Sequence, residues 1–224
     1  LLVLQPAIPT RQKFSWSQQQ ALLRRLAGAQ LQAERQGADA LVLPEGALSV
    51  GQSLPQAAQV EVLSGGFRDV DGALRSAVLR FEPGQLDPAQ AIDKHRLVPL
   101  GEWTPGGRWL SWAGLSAVGG VSFGEPSRLL ARPAGAVGVA ICYELSDGSG
   151  LALAVRDGAR WLLLSANLDP YPPMLQRQFV ALAQLRAIET GRAVVSAANT
   201  GPSALVDARG RVEQRLPAGR PATG

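Results

Sequence analysis

Short apolar runs that end at proline, glycine or asparagine alternate along this chain with longer segments of helical period. The first part of the sequence shows the arrangement most clearly: Leu1–Gln5 predicts a strand, Ser17–Gln36 an amphipathic helix, and Ala40–Leu43 a buried strand. Because a strand, a helix and a second strand follow one another, we expect helices to cover the faces of a sheet. The alternation therefore predicts an α/β layered fold.

The rest of the chain continues this alternation. Helices are predicted over Leu151–Arg156 and Pro172–Thr190, and the second is expected to end at Gly191. Further strands are predicted over Val60–Leu63, Leu74–Phe81, Arg128–Ala131, Ala136–Ile141, Trp161–Leu164, Ala193–Ala198, Ser203–Asp207 and Val212–Leu216. Hairpins between these strands are too frequent for a purely parallel sheet.

One segment interrupts the pattern. Glu82–Pro126 is long, irregular and rich in glycine, proline and tryptophan, and loops of this length are uncommon unless they have a function. Before it, a polar turn is predicted over Arg68–Gly72. The glycine pairs that begin at Gly65 and Gly106 are too short and wrongly placed for phosphate-binding loops, so we assign them to turns.

The composition limits the classes of function. A chain of 224 residues that is 46% apolar can bury one sizeable core, so we predict a single domain over residues 1–224. The net charge is +4, but the basic residues are scattered along the sequence rather than clustered, which argues against a nucleic-acid partner. One cysteine and one histidine exclude an internal disulfide and a Cys/His zinc cluster, so no metal site is predicted. The start at Leu1 suggests a domain of a longer protein.

Two reactive side chains directly follow apolar strands. Glu45 comes where the strand over Ala40–Leu43 ends, the usual location of ligand-contacting groups in α/β sheets. Cys142 ends the apolar run GVAI, and a neighbouring base and cation would convert its thiol to a nucleophile. Each residue has a simpler interpretation, because Glu45 could be a solvated loop residue and Cys142 a small buried apolar side chain.

Lys94 is notable because the chain uses arginine almost everywhere else. Only Lys13 and Lys94 are lysines among the 22 basic residues. A compact ammonium approaches a developing oxyanion as a point charge, whereas a guanidinium presents a wider planar fork. The alternative is an exposed cation in a loop.

A serine hydrolase is the competing interpretation, since Gly120–Gly124 matches the G-x-S-x-G pattern. That motif needs a strand before it, a helix after it and a histidine later in the chain. Here Pro126 and a strand-like run follow, and His95 lies upstream, so the match is assigned to chance. Because no neighbouring motif pairs with His95, we expect it to be a loop histidine with satisfied hydrogen bonds.

Three segments together carry a resemblance. LVLPEGAL around Glu45, DKHRLVPLGEWTP around Lys94 and Glu102, and GVAICYELSD around Cys142 resemble, in order, the three catalytic motifs of the nitrilase (carbon–nitrogen hydrolase) superfamily. The resemblance extends from Leu1 to about residue 216. It implies an αββα sandwich, in which two sheets pack face to face between helices.

The resemblance also implies a mechanism. Glu45 would be the general base, Cys142 the nucleophile that forms a thioester, and Lys94 the cation that stabilises the oxyanion. Glu102 would orient Lys94 or assist proton transfer. Tyr143 and Glu144 would support the site from positions next to the nucleophile, and no cofactor is expected. Alternatively, either Glu102 or Glu144 is a structural carboxylate paired with one of the many arginines.

The second motif is most similar to the apolipoprotein N-acyltransferase branch of the superfamily. That branch implies a phospholipid acyl donor, an apolipoprotein acceptor and attachment to the bacterial inner membrane through helices outside this sequence, with the catalytic domain facing the periplasm. Trp103, Trp109 and Trp112 would form a lipid-facing lid, since tryptophan favours the membrane interface. Alternatively, these rings pack onto the domain surface.

Two rival functions remain open at the level of sequence. A soluble amidase or nitrilase would use the same Glu45, Lys94 and Cys142. A catalytically silent domain, kept for binding or assembly in a larger membrane protein, would have the same fold without turnover. The intact set of three residues argues against the second.

Overall fold

Two six-stranded β-sheets face each other in the computed structural model, which describes residues 1–12, 15–99, 101–102 and 120–224. The strands of the first sheet are β1 (Leu2–Gln5), β2 (Ala40–Leu48), β3 (Glu61–Val70), β4 (Ala73–Phe81), β5 (Gln90–Asp93) and β12 (Ala222–Thr223). Their order is β12-β1-β2-β3-β4-β5. Strands β1, β2 and β3 are parallel, and the others pair antiparallel.

The second sheet is also mixed, with three parallel strands flanked by antiparallel ones. Its strands are β6 (Leu129–Leu130), β7 (Val137–Ile141), β8 (Trp161–Ala166), β9 (Val194–Ala198), β10 (Ala204–Val206) and β11 (Val212–Arg215). Their order is β11-β10-β9-β8-β7-β6, with β7, β8 and β9 parallel in the centre. The α-helices are α1 (Trp16–Arg35), α2 (Gly148–Arg156) and α3 (Pro173–Thr190).

Apolar side chains occupy three layers that account for the architecture. Between the sheets, Val42 and Leu63 of the first pack with Val139 and Leu163 of the second. Outside the first sheet, helix α1 buries apolar residues against β1 and β2, and outside the second, α2 and α3 cover β7 to β9. The fold is therefore the expected αββα sandwich.

Helix α1 illustrates how local sequence selects a layer. Leu22, Leu26, Ala29 and Ala33 recur at intervals of three and four residues and are all buried, which places them on one helix face. Burial of each leucine side chain contributes roughly 1.5–3 kcal/mol to the stability of the folded state. Of the helices that the structure describes, none is long and apolar enough to cross a bilayer.

Several predicted boundaries were wrong. The predicted turn over Arg68–Gly72 is mostly strand, because β3 continues to Val70 and pairs with β4 through the short turn at Asp71 and Gly72. The predicted loop over Glu82–Pro126 contains β5, whose mixed polarity hid it as an edge strand. Strand β12 was also missed, since it has only two residues.

Gly65 corrects another assignment. It lies inside β3 rather than in a turn, directly beside the end of β2. A Cβ atom at this position would come within 2.6 Å of the backbone nitrogen of Glu45. The absence of a side chain therefore lets β2 pass close to β3 where Glu45 leaves the regular ladder.

The strand directions bring several chain segments to one end of the sandwich. Strand β5 runs antiparallel to β4 and therefore in the same direction as β2 and β3. The carboxyl ends of β2, β5, β7 and β8 meet at this end. Lys94 after β5 bonds to Glu45 near the end of β2 within the first sheet, and His95 and Asn167 bond across to the other sheet. We call this end of the molecule the C-terminal strand edge.

A buried ion cluster joins the two sheets at the opposite end. Glu61 of β3 binds Arg80 of β4 at 2.5 Å and Arg132 after β6 at 2.6 Å. The Arg132 guanidinium also lies over the Trp161 ring, 5.3 Å from its centroid. One carboxylate thus compensates two buried guanidinium groups, one from each sheet.

Replacing Glu61 tests this cluster. The Glu61→Gln variant keeps the shape but leaves the buried Arg132 without its carboxylate and Arg80 with the half-exposed Glu82 alone, so we expect the free energy of unfolding to fall by roughly 3 kcal/mol. Urea unfolding followed by circular dichroism measures the change. The matched control is Glu82→Gln, because Glu82 also binds Arg80 but is half exposed, and its loss should cost less than about 1 kcal/mol. Equal effects of the two substitutions would contradict the structural role of Glu61.

Candidate active site

A fully buried lysine lies at the centre of the C-terminal strand edge. Lys94, directly after β5, has no exposed side-chain surface, and its Nζ lies 2.9 Å from Glu45 Oε1 and 2.7 Å from Glu102 Oε1. Burial opposes its charge, but the carboxylates of Glu45 and Glu102, with the ionisable Cys142 beside them, outweigh that effect and raise the pKa of Lys94. Lys94 is therefore a permanent cation held by two carboxylates.

Glu45 owes its position to an irregularity in β2. The register with β3 shifts between Leu43 and Leu48, and Gly46 has a φ of +63°, so the strand leaves the regular ladder at Glu45. Its Oε1 accepts from Lys94, and its Oε2 accepts from the backbone N–H of Asn167, at 2.9 Å, in the segment after β8. Both oxygens of this carboxylate are thus held, one from each sheet.

Cys142 sits where β7 turns sharply into a 3₁₀ helix over Cys142–Ser146. Its φ of +49° is rare for a residue with a side chain, and such strain concentrates at functional sites. The side chain is almost fully buried. Burial, followed by the negative charge of Glu45, raises the pKa of Cys142 far above its usual range, although the Lys94 ammonium acts in the opposite direction. The resting group is therefore a neutral thiol.

Glu102 and Glu144 organise the chain around this centre. Glu102 accepts from Lys94 Nζ and, through its other oxygen, from the backbone N–H of Val98 at 2.9 Å, so one carboxylate holds both residues. Glu144 accepts backbone N–H groups from Ile141, before the cysteine, and from His95, after the lysine. It thereby ties the Cys142 turn to the Lys94 segment.

Three residues of the site were missed in the sequence. Arg128 pairs with Glu144 at 3.0 Å in the interior, but one arginine among so many carries no signal. Asn167 contacts Glu45 through its backbone, which sequence patterns do not report. Tyr171 is half-buried and packs on Phe179; burial, then the negative charges of Cys142 and Glu45, raises the pKa of its phenol.

The remaining predicted residues have separate positions. Tyr143, next to Cys142, is exposed. His95 Nδ1 lies 2.8 Å from the carbonyl oxygen of Gly124, which makes it a satisfied loop histidine as expected. No helix follows Ser122, whose N–H bonds to Leu74, so the serine-hydrolase pattern is a chance match. The tryptophans Trp103, Trp109 and Trp112, and the glycine pair at Gly106, lie outside the described residues.

This arrangement has the parts needed for acyl transfer through a thiol. The carboxylate of Glu45, the ammonium of Lys94 and the thiol of Cys142 come from three different strands or the residues directly after them, and both charged groups lie close enough to the thiol to shift the pKa of Cys142. Across residues 1–12, 15–99, 101–102 and 120–224, no group of three His, Cys, Asp or Glu side chains is placed to hold a metal ion.

Comparison with known proteins decides the family. The family model for carbon-nitrogen hydrolase matches residues 3–221. The chain belongs to that family. Relatives in the family include a curated protein of Prochlorococcus marinus (strain MIT 9313) named apolipoprotein N-acyltransferase, which is 56% identical over 212 residues. A protein of Parasynechococcus marenigrum (strain WH8102) with the same name is 53% identical over 213 residues.

The share of sequence that is aligned differs between this chain and its relatives. Each alignment covers 95% of this chain, but 42% of the Prochlorococcus protein and 46% of the Parasynechococcus protein. The chain thus spans less than half of the length of these curated relatives. The match concerns the carbon-nitrogen hydrolase part of the longer proteins.

Solved structures support the fold independently. Saccharomyces cerevisiae Nit3, of the nitrilase superfamily, superposes with a TM-score of 0.72 at 16% identity over 100% of this chain and 88% of that one. An amidase of Nesterenkonia AN1 gives a TM-score of 0.70 at 16% identity, covering 99% and 87% of the two chains. At these identities the likeness shows the nitrilase-type sandwich alone.

The protonation of Cys142 can be tested directly. Thiolate absorbance at 240 nm, corrected with Cys142→Ala, should stay low between about pH 7 and pH 10, because burial and Glu45 oppose ionisation. In Glu45→Gln the negative charge is gone while Lys94 stays, so the thiolate should appear at a pH lower by about one to two units. A wild-type thiolate already present near neutral pH would contradict the neutral resting thiol.

Proposed function

We propose that this chain is the catalytic domain of an apolipoprotein N-acyltransferase, with Glu45, Lys94 and Cys142 as its catalytic residues. The domain would span residues 1–224 of a longer protein. The single observation that carries the assignment is the buried contact among a carboxylate, an ammonium and a thiol, in a chain more than half identical to proteins of that name.

In the first half-reaction, the Cys142 sulfur attacks the carbonyl carbon of a phospholipid ester. Glu45 accepts the thiol proton as the S–C bond forms, which is needed because the resting thiol is neutral. The carbonyl oxygen of the ester becomes an oxyanion beside the Lys94 ammonium and the backbone N–H of Tyr143. When the C–O bond breaks, Glu45 returns the proton to the departing alcohol oxygen, and the acyl group remains on Cys142 as a thioester.

In the second half-reaction, the neutral α-amine of a lipoprotein N-terminus attacks the thioester carbonyl. Glu45 takes a proton from the amine nitrogen, the C–S bond breaks, and the proton passes to the departing sulfur. An amide forms and the neutral thiol is restored. Lys94 stays protonated throughout, because three negative or ionisable neighbours hold its charge.

The surroundings of the site support a lipid substrate. Two exposed aromatic side chains adjoin the site in the chain: Tyr143 follows Cys142, and Phe123 precedes Gly124, whose N–H donates to the carbonyl oxygen of Lys94. They give this part of the surface an apolar rim. Such an apolar rim around a thiol suits contact with acyl chains and a membrane interface.

We extend the proposal to the setting of the enzyme. Trp103, Trp109 and Trp112 follow Glu102 in sequence and would complete the apolar rim as a lipid-facing lid. Helices outside this sequence would hold the domain on the periplasmic side of a bacterial inner membrane. A phospholipid donor and an apolipoprotein acceptor would then meet Cys142 from the same membrane surface.

Intact-mass spectrometry of the full-length protein in phospholipid vesicles tests the first half-reaction. We expect a mass increase equal to one fatty acyl group, lost on treatment with hydroxylamine and missing in Cys142→Ala, because only the thioester holds the acyl group. A folded full-length protein that acquires no adduct from phospholipid would overturn the proposal.

The acceptor is tested on the same preparation. A diacylglyceryl-cysteine peptide with a free α-amine should remove the adduct and gain one acyl group, whereas its N-acetylated counterpart should leave the adduct in place. Loss of the adduct at equal rates with both peptides would mean that water is the acceptor. The protein would then be a hydrolase of the same family.

A further inference from the structure

A buried asparagine far from the three catalytic residues in sequence is connected to them by hydrogen bonds. Asn199 follows β9 and is 3% exposed. Its Oδ1 accepts from the backbone N–H of Ile8 at 3.1 Å, and its Nδ2 donates to the carbonyl oxygen of Ile8 at 2.7 Å and to Asn167 Oδ1 at 3.0 Å. One amide thus joins the segments that follow β1 and β8.

The second member of the connection is Asn167. Its side chain lies between Asn199 and Thr10, donating to Thr10 Oγ1 at 3.0 Å. Its backbone N–H donates to Glu45 Oε2 at 2.9 Å. The path from Asn199 to the carboxylate of Glu45 therefore has two hydrogen bonds and crosses from one sheet to the other.

The segment that carries Asn167 has no regular backbone ladder to hold it. Residues 167–172 lie between β8 and α3 and form turns and bends. The Asn167 N–H is part of the Ala166–Asn167 peptide at the end of β8, and beyond that peptide the residue is held by the bonds that its side chain makes. Asn199 supplies one of them, and its own backbone is anchored to β8 through a bond from its N–H to Ala166, at 3.0 Å.

We propose that Asn199 is a positioning residue for the general base, acting on Glu45 through Asn167. The inference rests on the proposed function, in which Glu45 takes and returns the proton. With Lys94 on Oε1 and Asn167 on Oε2, the carboxylate cannot rotate about its terminal bond. Proton transfer to and from the substrate requires this fixed orientation.

The amide chemistry of Asn199 explains the residue type. Its Nδ2 faces two acceptors, Ile8 O and Asn167 Oδ1, so only a donor is tolerated there. An aspartate of the same shape would set a negative oxygen against both. The Asn199→Asp substitution should therefore push the Asn167 side chain away while leaving Glu45, Lys94, Glu102 and Cys142 unchanged in sequence.

Gln5 offers a matched control. Like Asn199, it is a buried amide that holds a distant segment: its Nε2 donates to Pro217 O at 2.7 Å and Arg220 O at 3.0 Å, and its Oε1 accepts from Ser203 N–H. The two bonds that Nε2 donates lead away from Glu45, and the bonds that Oε1 accepts from Ser203 can still form in Gln5→Glu. Gln5→Glu therefore repeats the loss of an amide donor toward Pro217 and Arg220, which are not on the path from Asn199 to Glu45.

The experiment measures acyl-adduct formation on Cys142 in the full-length protein at saturating phospholipid, together with the melting temperature. We expect Asn199→Asp to slow adduct formation about tenfold or more with little change in the half-saturating phospholipid concentration. Gln5→Glu should lower the melting temperature but leave the rate per folded molecule within about twofold. If Asn199→Asp does not fold, Asn199→Ala, which removes the bond without the repulsion, is used and should slow the reaction in the same direction.

A double-mutant cycle separates action through Glu45 from a general loss of structure. In a Glu45→Gln background, Asn199→Asp should have no further effect on the rate, because its target is already disabled. The inference would be overturned if Asn199→Asp lowered the rate by the same factor in the Glu45→Gln background as in the wild-type background. It would also be overturned if Gln5→Glu lowered the rate per folded molecule as much as Asn199→Asp does. If the wild-type protein forms the adduct and Asn199→Asp forms it at the same rate, only this inference is overturned. If the wild-type protein forms no adduct, the proposed function is overturned and the inference with it.

Discussion

The buried ammonium of Lys94 is the interaction on which the rest of the site depends. An isolated charge without contact with water is costly in free energy, and two carboxylates at 2.9 and 2.7 Å offset that cost. Those carboxylates arrive on separate chain segments, one in β2 and one after β5. The geometry that compensates the ammonium also places the carboxylate of Glu45 beside the thiol of Cys142.

The αββα sandwich makes this meeting possible. Parallel strands in both sheets bring their carboxyl ends to one edge, where the chain leaves regular hydrogen bonding and side chains can converge. The opposite end carries the Glu61 ion cluster, which ties the same two sheets together. One end of the sandwich thus has a structural set of buried charges, and the other has the set to which we assign catalysis.

The neutral thiol of Cys142 fits this electrostatic arrangement. Two carboxylates near a single ammonium leave a local excess of negative charge, which disfavours a thiolate. In the proposed mechanism, deprotonation is coupled to attack on the carbonyl carbon, so the rate depends on the orientation of Glu45. Under that proposal, the Asn167 and Asn199 bonds would orient the base as well as hold the loops together.

Much of the site was readable from the sequence, and the reasons for success and failure are physical. Glu45, Lys94 and Cys142 could be selected as candidates because their motifs are local, and the structure brings the three residues together. The strands buried on both faces and helix α1 were found for the same reason, since burial imposes an apolar period. The edge strands β5 and β12 were missed because partial exposure weakens that period.

Only the tertiary structure decided which side chains hold the site together. The pairing of Arg128 with Glu144, the N–H of Asn167 on Glu45 and the amide of Asn199 join residues that lie up to 191 positions apart. Such bonds depend on where sheets bring loops together, and no spacing in the sequence records them. The sequence by itself determined the layers and the reactive residues, because burial and motif are local properties; the tertiary structure decided orientation and charge, because those depend on distances between segments remote in the chain.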